Sequence, residues 1–133
     1  MSETVWIPSS RGVEVRAFTN AWFRQYATLR FYYDGQSNPF DTWHLEGQGE
    51  GNKAMTGSQL NGCGIRWVAP HSQRYKIEVH TQYLKNGSRH DHQTMPVSST
   101  LGLFNISMVL SEDDADKDWN DAVLQFTWWT PPK

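Results

Sequence analysis

The sequence has few of the features that stabilise or anchor a small fold from outside its core. A single cysteine, Cys63, among 133 residues excludes an intramolecular disulfide framework and a cysteine-rich zinc site. No apolar run is long enough to cross a membrane, and the first residues lack the basic and apolar regions of a Sec signal. A net charge of only −2 argues against a general nucleic-acid binder. We therefore expect one domain, residues 1–133, with its own hydrophobic core and neither membrane insertion nor nucleic-acid binding.

Helical periodicity is also missing, and an alternation of apolar and polar residues takes its place. The alternation is clearest at residues 75–83, which are followed by the hairpin signal Asn86-Gly87, and at residues 25–33. Shorter runs of this kind lie at residues 13–18, 43–46, 65–69, 103–109 and 122–128. The pattern predicts an all-β fold, a single-domain antiparallel β-sandwich of about eight to nine short strands. The glycine-rich stretch Gly47–Gly57 is predicted to be a mobile surface loop.

The small net charge conceals one dense acidic segment, residues 112–121. Its six acids and one lysine give it a charge of −5, so the rest of the chain carries +3. The acids are Glu112, Asp113, Asp114, Asp116, Asp118 and Asp121. Carboxylates this close repel one another, and a hard divalent cation with oxygen ligands, calcium above all, is the usual compensation. A solvated acidic loop that only keeps the protein soluble is the alternative.

The spacing within this segment does not match an EF-hand. Asp114, Asp116 and Asp118 fit its first, third and fifth positions. However, Trp119 stands where the loop needs glycine for its sharp turn, and Gln125 stands where it needs glutamate. The segment contains neither histidine nor cysteine, which zinc or copper would favour.

Two segments resemble one known family. Residues 111–123 read SEDDADKDWNDAV and lead into an apolar strand ending at Trp128. This string resembles the loop S-E-D-G-x-D-x-D-Y-N-D-A/G-V/I of the bacterial calcium-mediated lectins that bind fucose and mannose. Trp119 replaces the usual tyrosine and Asp114 the usual glycine. Far away, residues 17–20 read AFTN and resemble the family's A-F-A-N segment at the end of an early strand.

The resemblance implies a lectin in which calcium ions directly coordinate vicinal hydroxyls of a monosaccharide such as fucose or mannose, with no catalysis. One ion would be held by Glu112, Asp116, Asp118 and Asp121. A second would be held by Asn20, Asp118, Asn120 and Asp121. The implied sugar contacts are Asp113, Asp116, Asn20 and the following residues Ala21, Trp22 and Phe23.

The chain departs from the family pattern in two places. In the family, a terminal glycine carboxylate enters the calcium site of the neighbouring protomer. The corresponding position here is Pro131, with two residues after it, so two ions are expected and one is possible. The family also has small polar residues where this chain has Trp22 and Phe23. The resemblance therefore implies the sugar class but not the choice between fucose and mannose.

Outside these segments the sequence offers weaker candidates. His90-Asp91-His92 could contribute to a zinc site, but a solvated turn is the simpler interpretation. Cys63 is expected to be a small buried hydrophobe. Several tryptophans are expected to lie in the core: Trp43, Trp67, Trp119, Trp128 and Trp129.

These observations lead to two hypotheses of different classes. The first is a calcium-dependent lectin that assembles as a homodimer or higher homo-oligomer, because weak monosaccharide sites gain avidity in number. The second is a structural or protein-interaction module whose acidic loop binds calcium for stability only, with Trp22 blocking the sugar. Without a Sec signal we expect a cytoplasmic protein, or one exported by a non-classical route to reach extracellular or surface glycans.

Overall fold

The computed structural model describes residues 2–112 and 119–131. Within them the regular structure is entirely strand, and none of it is a helix with the length and apolar character to span a bilayer. Nine strands occur in these residues: β1 Ser2–Ile7, β2 Val13–Tyr33, β3 Asp41–Ala54, β4 Ile65–Val68, β5 Tyr75–Lys85, β6 Ser88–Asp91, β7 Gln93–Leu101, β8 Phe104–Glu112 and β9 Ala122–Trp129. All of their pairings are antiparallel. The predicted all-β antiparallel fold is confirmed.

The 21-residue strand β2 pairs with four other strands. Its first part pairs with β4 and β9, and its second part pairs with β3 and β5. The hydrogen-bonded order across the molecule is β1-β5-β2-β9-β8-β7. The two ends of this path meet where Thr94 Oγ1 of β7 donates to Glu3 Oε1 of β1 at 2.8 Å. The strands therefore enclose the core almost as a barrel.

The core follows from the alternation in the sequence. Alternate apolar residues of β2 on either side of its middle, such as Val15 and Leu29, are fully buried, and they pack with apolar side chains from β1, β3, β5, β8 and β9 in one cluster. Phe31 and Trp43 are at its centre, with ring centroids 4.8 Å apart. Each such side chain contributes roughly 1.5–3 kcal/mol by leaving water. The strands that carry the candidate site residues are thus held in place by packing.

An irregularity in the middle of β2 was not anticipated. The sequence predicts separate strands at residues 13–18 and 25–33, whereas the structure has one strand whose register with β3 shifts between Thr19 and Ala21 and again between Ala21 and Gln25. Gln25 is buried and donates through Nε2 to the Phe23 carbonyl at 2.8 Å. Residues 22–24 are consequently pushed outward as an exposed bulge.

The prediction of a mobile loop at Gly47–Gly57 is wrong. Most of it belongs to β3, and Met55 beyond the strand is completely buried. A Cβ on Gly47 would lie 3.2 Å from side-chain atoms of both Met55 and Thr19. Glycine is used here because two strands approach closely, not because the chain is free to move.

Three strands had no clear signal in the sequence: β1, β6 and β7. The last of these contains Pro96, which removes a donor and is unusual in a central strand. Among the described residues the backbone of β7 pairs only with β8, so β7 is an edge strand and accommodates the proline.

Candidate functional site

The candidate site lies where three strands meet at one end of the fold. Asn20 in the β2 bulge donates its backbone N–H to the Asp121 carbonyl at 3.1 Å. Asp121, just before β9, donates in turn to the Ser111 carbonyl near the end of β8 at 3.1 Å. The two segments singled out in the sequence are therefore neighbours in space. The intervening acidic residues 113–118, among them Asp113, Asp114, Asp116 and Asp118, lie outside the described residues.

The Asn20 side chain is held in position by a partner that sequence reasoning missed, Asn52. Asn20 Nδ2 donates to Asn52 Oδ1 at 2.9 Å and to the Asn120 carbonyl at 3.2 Å. Asn20 Oδ1 accepts from the Asn52 backbone N–H at 2.7 Å. An amide oxygen has two lone pairs, so Asn20 Oδ1 can accept this bond and also ligate a cation. The available signal was the Gly51-Asn52 pair, since asparagine adopts a positive φ more readily than most residues, and Asn52 has a φ of 55° in β3 beside Lys53, the register partner of Thr19.

Two carboxylates at the ends of the acidic segment are buried. Glu112 is fully buried and Asp121 is 4% exposed. Glu112 Oε2 accepts from the Trp119 backbone N–H at 3.4 Å. Negative charges removed from water at one end of a fold raise its electrostatic energy unless positive charge compensates them. The described residues that could coordinate a metal ion, Asn20, Glu112, Asn120 and Asp121, all offer hard oxygen atoms. Calcium prefers ligands of this kind.

The backbone beside these carboxylates is strained. Trp119 has a φ of 58°, in the left-handed region that residues other than glycine, asparagine and aspartate rarely adopt. Such conformations cluster at ligand-binding sites, where the surroundings hold them in place. The strain thus lies at the point where the chain leaves the acidic segment and enters the buried part of the site.

The three residues after Asn20 differ in how much of each side chain is exposed to a ligand. Ala21 is 4% exposed, so its side chain belongs to the interior. Trp22 is 77% exposed, and its carbonyl accepts from Gln48 Nε2 at 2.6 Å. Phe23 packs against Tyr83 of β5, with ring centroids 6.1 Å apart. Trp22 is therefore the aromatic ring of this bulge that stands in solvent beside Asn20.

The weaker candidates find other roles. Asp91 lies 2.9 Å from His80 Nε2 and accepts from Gln82 Nε2 at 3.0 Å, and these two bonds hold the pKa of its carboxyl well below the usual range. The rings of His90 and His92 pack against Tyr83. No group of three or more histidine, cysteine, aspartate or glutamate side chains that could hold a metal ion occurs in residues 2–112 and 119–131.

Three interior assignments are wrong. Cys63 is exposed, because it lies in a turn in which its backbone N–H bonds to Asn61 Oδ1 at 2.8 Å. Trp67 and Trp129 are 60% and 66% exposed, since they lie on the outer face of the strands rather than toward the core.

Comparison with known proteins identifies the family. The sequence model of fucose-binding lectin II (PA-IIL) matches residues 5–130. The chain belongs to this family. The fucose-binding lectin II match includes every described residue of the site, from Asn20 to Asp121. No curated protein matched the sequence.

Solved lectin structures share the fold over nearly the whole chain. The Chromobacterium violaceum lectin CV2L, in complex with alpha-methyl-fucoside, has 20% identity, covers 96% of each chain and has a TM-score of 0.65. A Ralstonia solanacearum high-affinity mannose-binding lectin has 25% identity, the same coverage and a TM-score of 0.62. The C-terminal domain of the Burkholderia cenocepacia lectin BC2L-C has 23% identity, covers 98% of this chain and 100% of that one, and has a TM-score of 0.57.

Proposed function

We propose that the chain is a calcium-dependent lectin, without catalytic activity, that binds a monosaccharide such as fucose or mannose. The observation that carries this proposal is the meeting of Asn20 with Asp121 and Glu112 at one end of the fold. Membership of the fucose-binding lectin II family supports it. The fucoside bound to the Chromobacterium lectin and the mannose binding of the Ralstonia lectin support the sugar class.

The residues divide into metal ligands and sugar contacts. The proposed calcium ligands are Asn20, Glu112, Asp116, Asp118, Asn120 and Asp121, enough oxygen donors for two ions that share carboxylates, or for one. When bound, calcium would coordinate adjacent sugar hydroxyls directly and so select their stereochemistry. The chain contributes the orientation of Asn20, fixed by Asn52, and acceptors for hydroxyl protons such as Asp113.

Trp22 would contact the apolar face of the sugar. Its indole is exposed beside Asn20, and the bond from Gln48 fixes the backbone that carries it. An aromatic face against the C–H groups of a pyranose adds apolar contact without requiring a new hydrogen bond. Contact with Trp22 would then alter the relative affinity of this chain for fucose and mannose.

Calorimetric titration tests the proposal. Methyl α-L-fucoside and methyl α-D-mannoside are titrated into the protein with calcium and then with EDTA. We expect binding of at least one sugar that EDTA abolishes, and loss of both calcium and sugar binding in Asp118→Ala and Asp121→Asn. Asp34→Asn is the matched control, because Asp34 is an exposed aspartate paired with Arg74 at 3.4 Å, away from the site.

The outcomes separate the two hypotheses. Calcium binding that stabilises the protein, with no signal on a glycan array, would identify a structural module and overturn the lectin. Unchanged sugar binding in Asp118→Ala would overturn the assignment of the site.

We also propose that the lectin assembles with copies of itself through the outer face of β7, β8 and β9. Register partners in antiparallel strands point to the same side, and Val109, Leu124 and Phe126 are buried toward the core. The opposite side of these strands carries the partly exposed apolar residues Met95, Val97, Leu101, Phe104, Ile106, Met108, Leu110 and Trp129. A largely apolar face of this kind, interrupted by Gln125 and Thr127 of β9, typically marks a contact with another molecule, and each copy would bring its own sugar site.

A further inference from the structure

Ser111 is the first residue of the motif SEDDADKDWNDAV, yet it is neither a proposed calcium ligand nor a proposed sugar contact. It is fully buried near the end of β8, and its Oγ lies 2.9 Å from Oγ1 of Thr81 on β5, which is 1% exposed. Among the described residues β5 pairs with β1, β2 and β6, and β8 pairs with β7 and β9, so no backbone pairing joins these two strands. The two hydroxyls therefore bond across the interior of the fold.

The main chain around Thr81 holds it in place. Thr81 is the register partner of Ala27 on β2, and its carbonyl accepts from the His92 backbone N–H at 3.2 Å. Val79, two residues earlier on β5, is completely buried in the core. The Thr81 hydroxyl is thus a fixed point to which the end of β8 is attached.

The end of β8 uses such a point because its pairing with β9 stops before the candidate site. Leu110 and Val123 are the register pair of these two strands nearest to the site, while β7 follows the other edge of β8 to its last residue. Beyond that pair, the Asp121 backbone N–H donates to the Ser111 carbonyl at 3.1 Å, and the Asp121 carbonyl accepts from the Asn20 N–H at 3.1 Å. A continuous path of hydrogen bonds therefore runs from β5 through the end of β8 to Asn20.

A pair of hydroxyls is not the simplest way to fill this part of the interior. Valine and alanine would occupy nearly the same volume, and replacing both partners of a buried hydrogen bond by apolar groups of similar shape is nearly neutral for stability. What the bond supplies is direction, because a satisfied polar contact specifies one arrangement of the two side chains. The pair therefore contributes more to the position of the end of β8 than to the stability of the fold.

The position of Ser111 bears on two carboxylates of the site. Glu112 follows it directly in the chain, and Asp121 is bonded to its carbonyl. Groups that orient metal ligands from outside the coordination shell affect metal affinity strongly. We propose that Thr81 and Ser111 are positioning residues of the calcium site, whose hydroxyl bond fixes the end of β8 and thereby the placement of Glu112 relative to Asp121. The inference rests on the proposed function, because it concerns two of the proposed calcium ligands.

The test compares two substitutions of Thr81 that separate its hydroxyl from its volume. Thr81→Val keeps the volume and removes the hydroxyl, whereas Thr81→Ser keeps the hydroxyl and removes a methyl group. Calcium affinity is measured by calorimetric titration of the metal-free protein. We expect Thr81→Val to bind calcium roughly tenfold more weakly than the wild type and Thr81→Ser to remain within about twofold of it, because the bond that orients the ligands is lost only in the first.

The double variant Thr81→Val/Ser111→Ala separates position from stability. Its melting temperature in EDTA should be close to that of the wild type, because no hydroxyl of the pair is left without a partner. Its calcium affinity should stay as low as that of Thr81→Val, because both changes break the same bond. Thr100→Val is the matched control: it removes the bond of a threonine hydroxyl to Asn105 Oδ1, 3.1 Å away at the other end of β8, and should leave calcium affinity unchanged.

A second measurement requires no calcium. In EDTA, hydrogen exchange of the Asp121 backbone N–H, followed by NMR, reports on its bond to Ser111. Exchange should be about tenfold faster in Thr81→Val than in the wild type, because the end of β8 opens locally more often, and nearly unchanged in Thr81→Ser.

The outcomes that contradict the proposal are distinct from those that contradict the lectin. The proposal is overturned if Thr81→Val leaves calcium affinity or Asp121 exchange unchanged, if Thr81→Ser binds calcium as weakly as Thr81→Val, or if the double variant regains wild-type affinity. A wild type that binds no calcium would instead overturn the proposed function. The exchange rates in EDTA would still decide whether the hydroxyl pair holds Asp121 in place.

Discussion

Tyr75 is one of the largest fully buried side chains, and its hydroxyl has no hydrogen-bond partner among the described residues. Burial, with a smaller contribution from Tyr33, raises the pKa of Tyr75 to about 12. We expect Tyr75→Phe to raise the free energy of unfolding by about 1 kcal/mol at neutral pH, because it removes a buried polar group that makes no bond. Urea unfolding followed by tryptophan fluorescence measures the change.

The same variant should alter the response to alkali. In the unfolded chain tyrosine ionises near pH 10, whereas in the folded chain Tyr75 stays neutral up to about pH 12. The wild type therefore loses stability as the pH rises from 10 to 12, and Tyr75→Phe should lose less over that interval. Tyr33→Phe is a useful contrast, since the Tyr33 hydroxyl lies 2.9 Å from His71 Nδ1 and its removal should destabilise. A parallel decline of the wild type and Tyr75→Phe would contradict the assignment.

Asn20→Asp isolates the electrostatics of the site. The change adds a negative charge beside Asp121 and removes the donor to Asn52 and Asn120. We expect a lower melting temperature than the wild type in EDTA and a larger increase on adding calcium, because the cation compensates the added charge. Differential scanning calorimetry in both conditions measures this. An equal calcium response in the two proteins would place Asn20 outside the metal site.

At the level of the element, the turn before β4 contains a matched pair of glycines. Gly64 has a φ of +71°, and a Cβ there would lie 2.6 Å from the Ala17 carbonyl oxygen, while Gly62 has nothing within 4 Å. Gly64→Ala should cost about 1–3 kcal/mol through backbone strain and overlap. Gly62→Ala should be close to neutral. Chemical denaturation of the two variants measures the difference, and similar losses in both would contradict the argument.

The strands also show which structural features can be predicted from the local alternation of apolar and polar residues. The alternation at residues 75–83 predicts β5, since one strand with one buried face is determined by local periodicity. Gly47 of β3 misled the prediction because its close contact with Thr19 of β2 is set by strand pairing and not by the local sequence pattern. The bulge of β2 was invisible for the same reason: it depends on the register with β3.

Only part of the candidate site was predicted from the sequence. Asn20 and Asp121 were found through two motifs with distinctive residues, and the structure brings them together. Asn52 carried no comparable motif, because its role depends on the pairing of β3 with β2. Trp67 was assigned to the core because hydrophobicity alone does not tell which face of an edge strand meets solvent.

At the level of the whole molecule, the apolar face of β7, β8 and β9 should determine the oligomeric state. Ile106 and Met108 lie in its middle strand and are partly exposed. Ile106→Lys combined with Met108→Lys should convert the oligomer to a monomer, because two charges cannot be buried in an apolar contact. Light scattering at micromolar concentration measures the mass. Thr28→Lys, in the part of β2 that pairs with β3 and β5, should leave the mass unchanged, and a monomeric wild type would refute the proposed interface.

The position of β9 has a consequence for the time at which binding activity first appears. This strand is the last of the nine to be synthesised, yet it lies between β2 and β8 in the hydrogen-bonded order. Asn20 meets Asp121 across about 100 positions of chain, and contacts of such long sequence separation form slowly. A ribosome-bound chain that still lacks β9 would contain every candidate ligand, but without β9 paired to β2 it would not yet hold Asp121 against Asn20. Retention of the ribosome-bound chain on a sugar affinity resin would therefore begin only after β9 has emerged and inserted between β2 and β8. Sugar binding would then report when this insertion takes place.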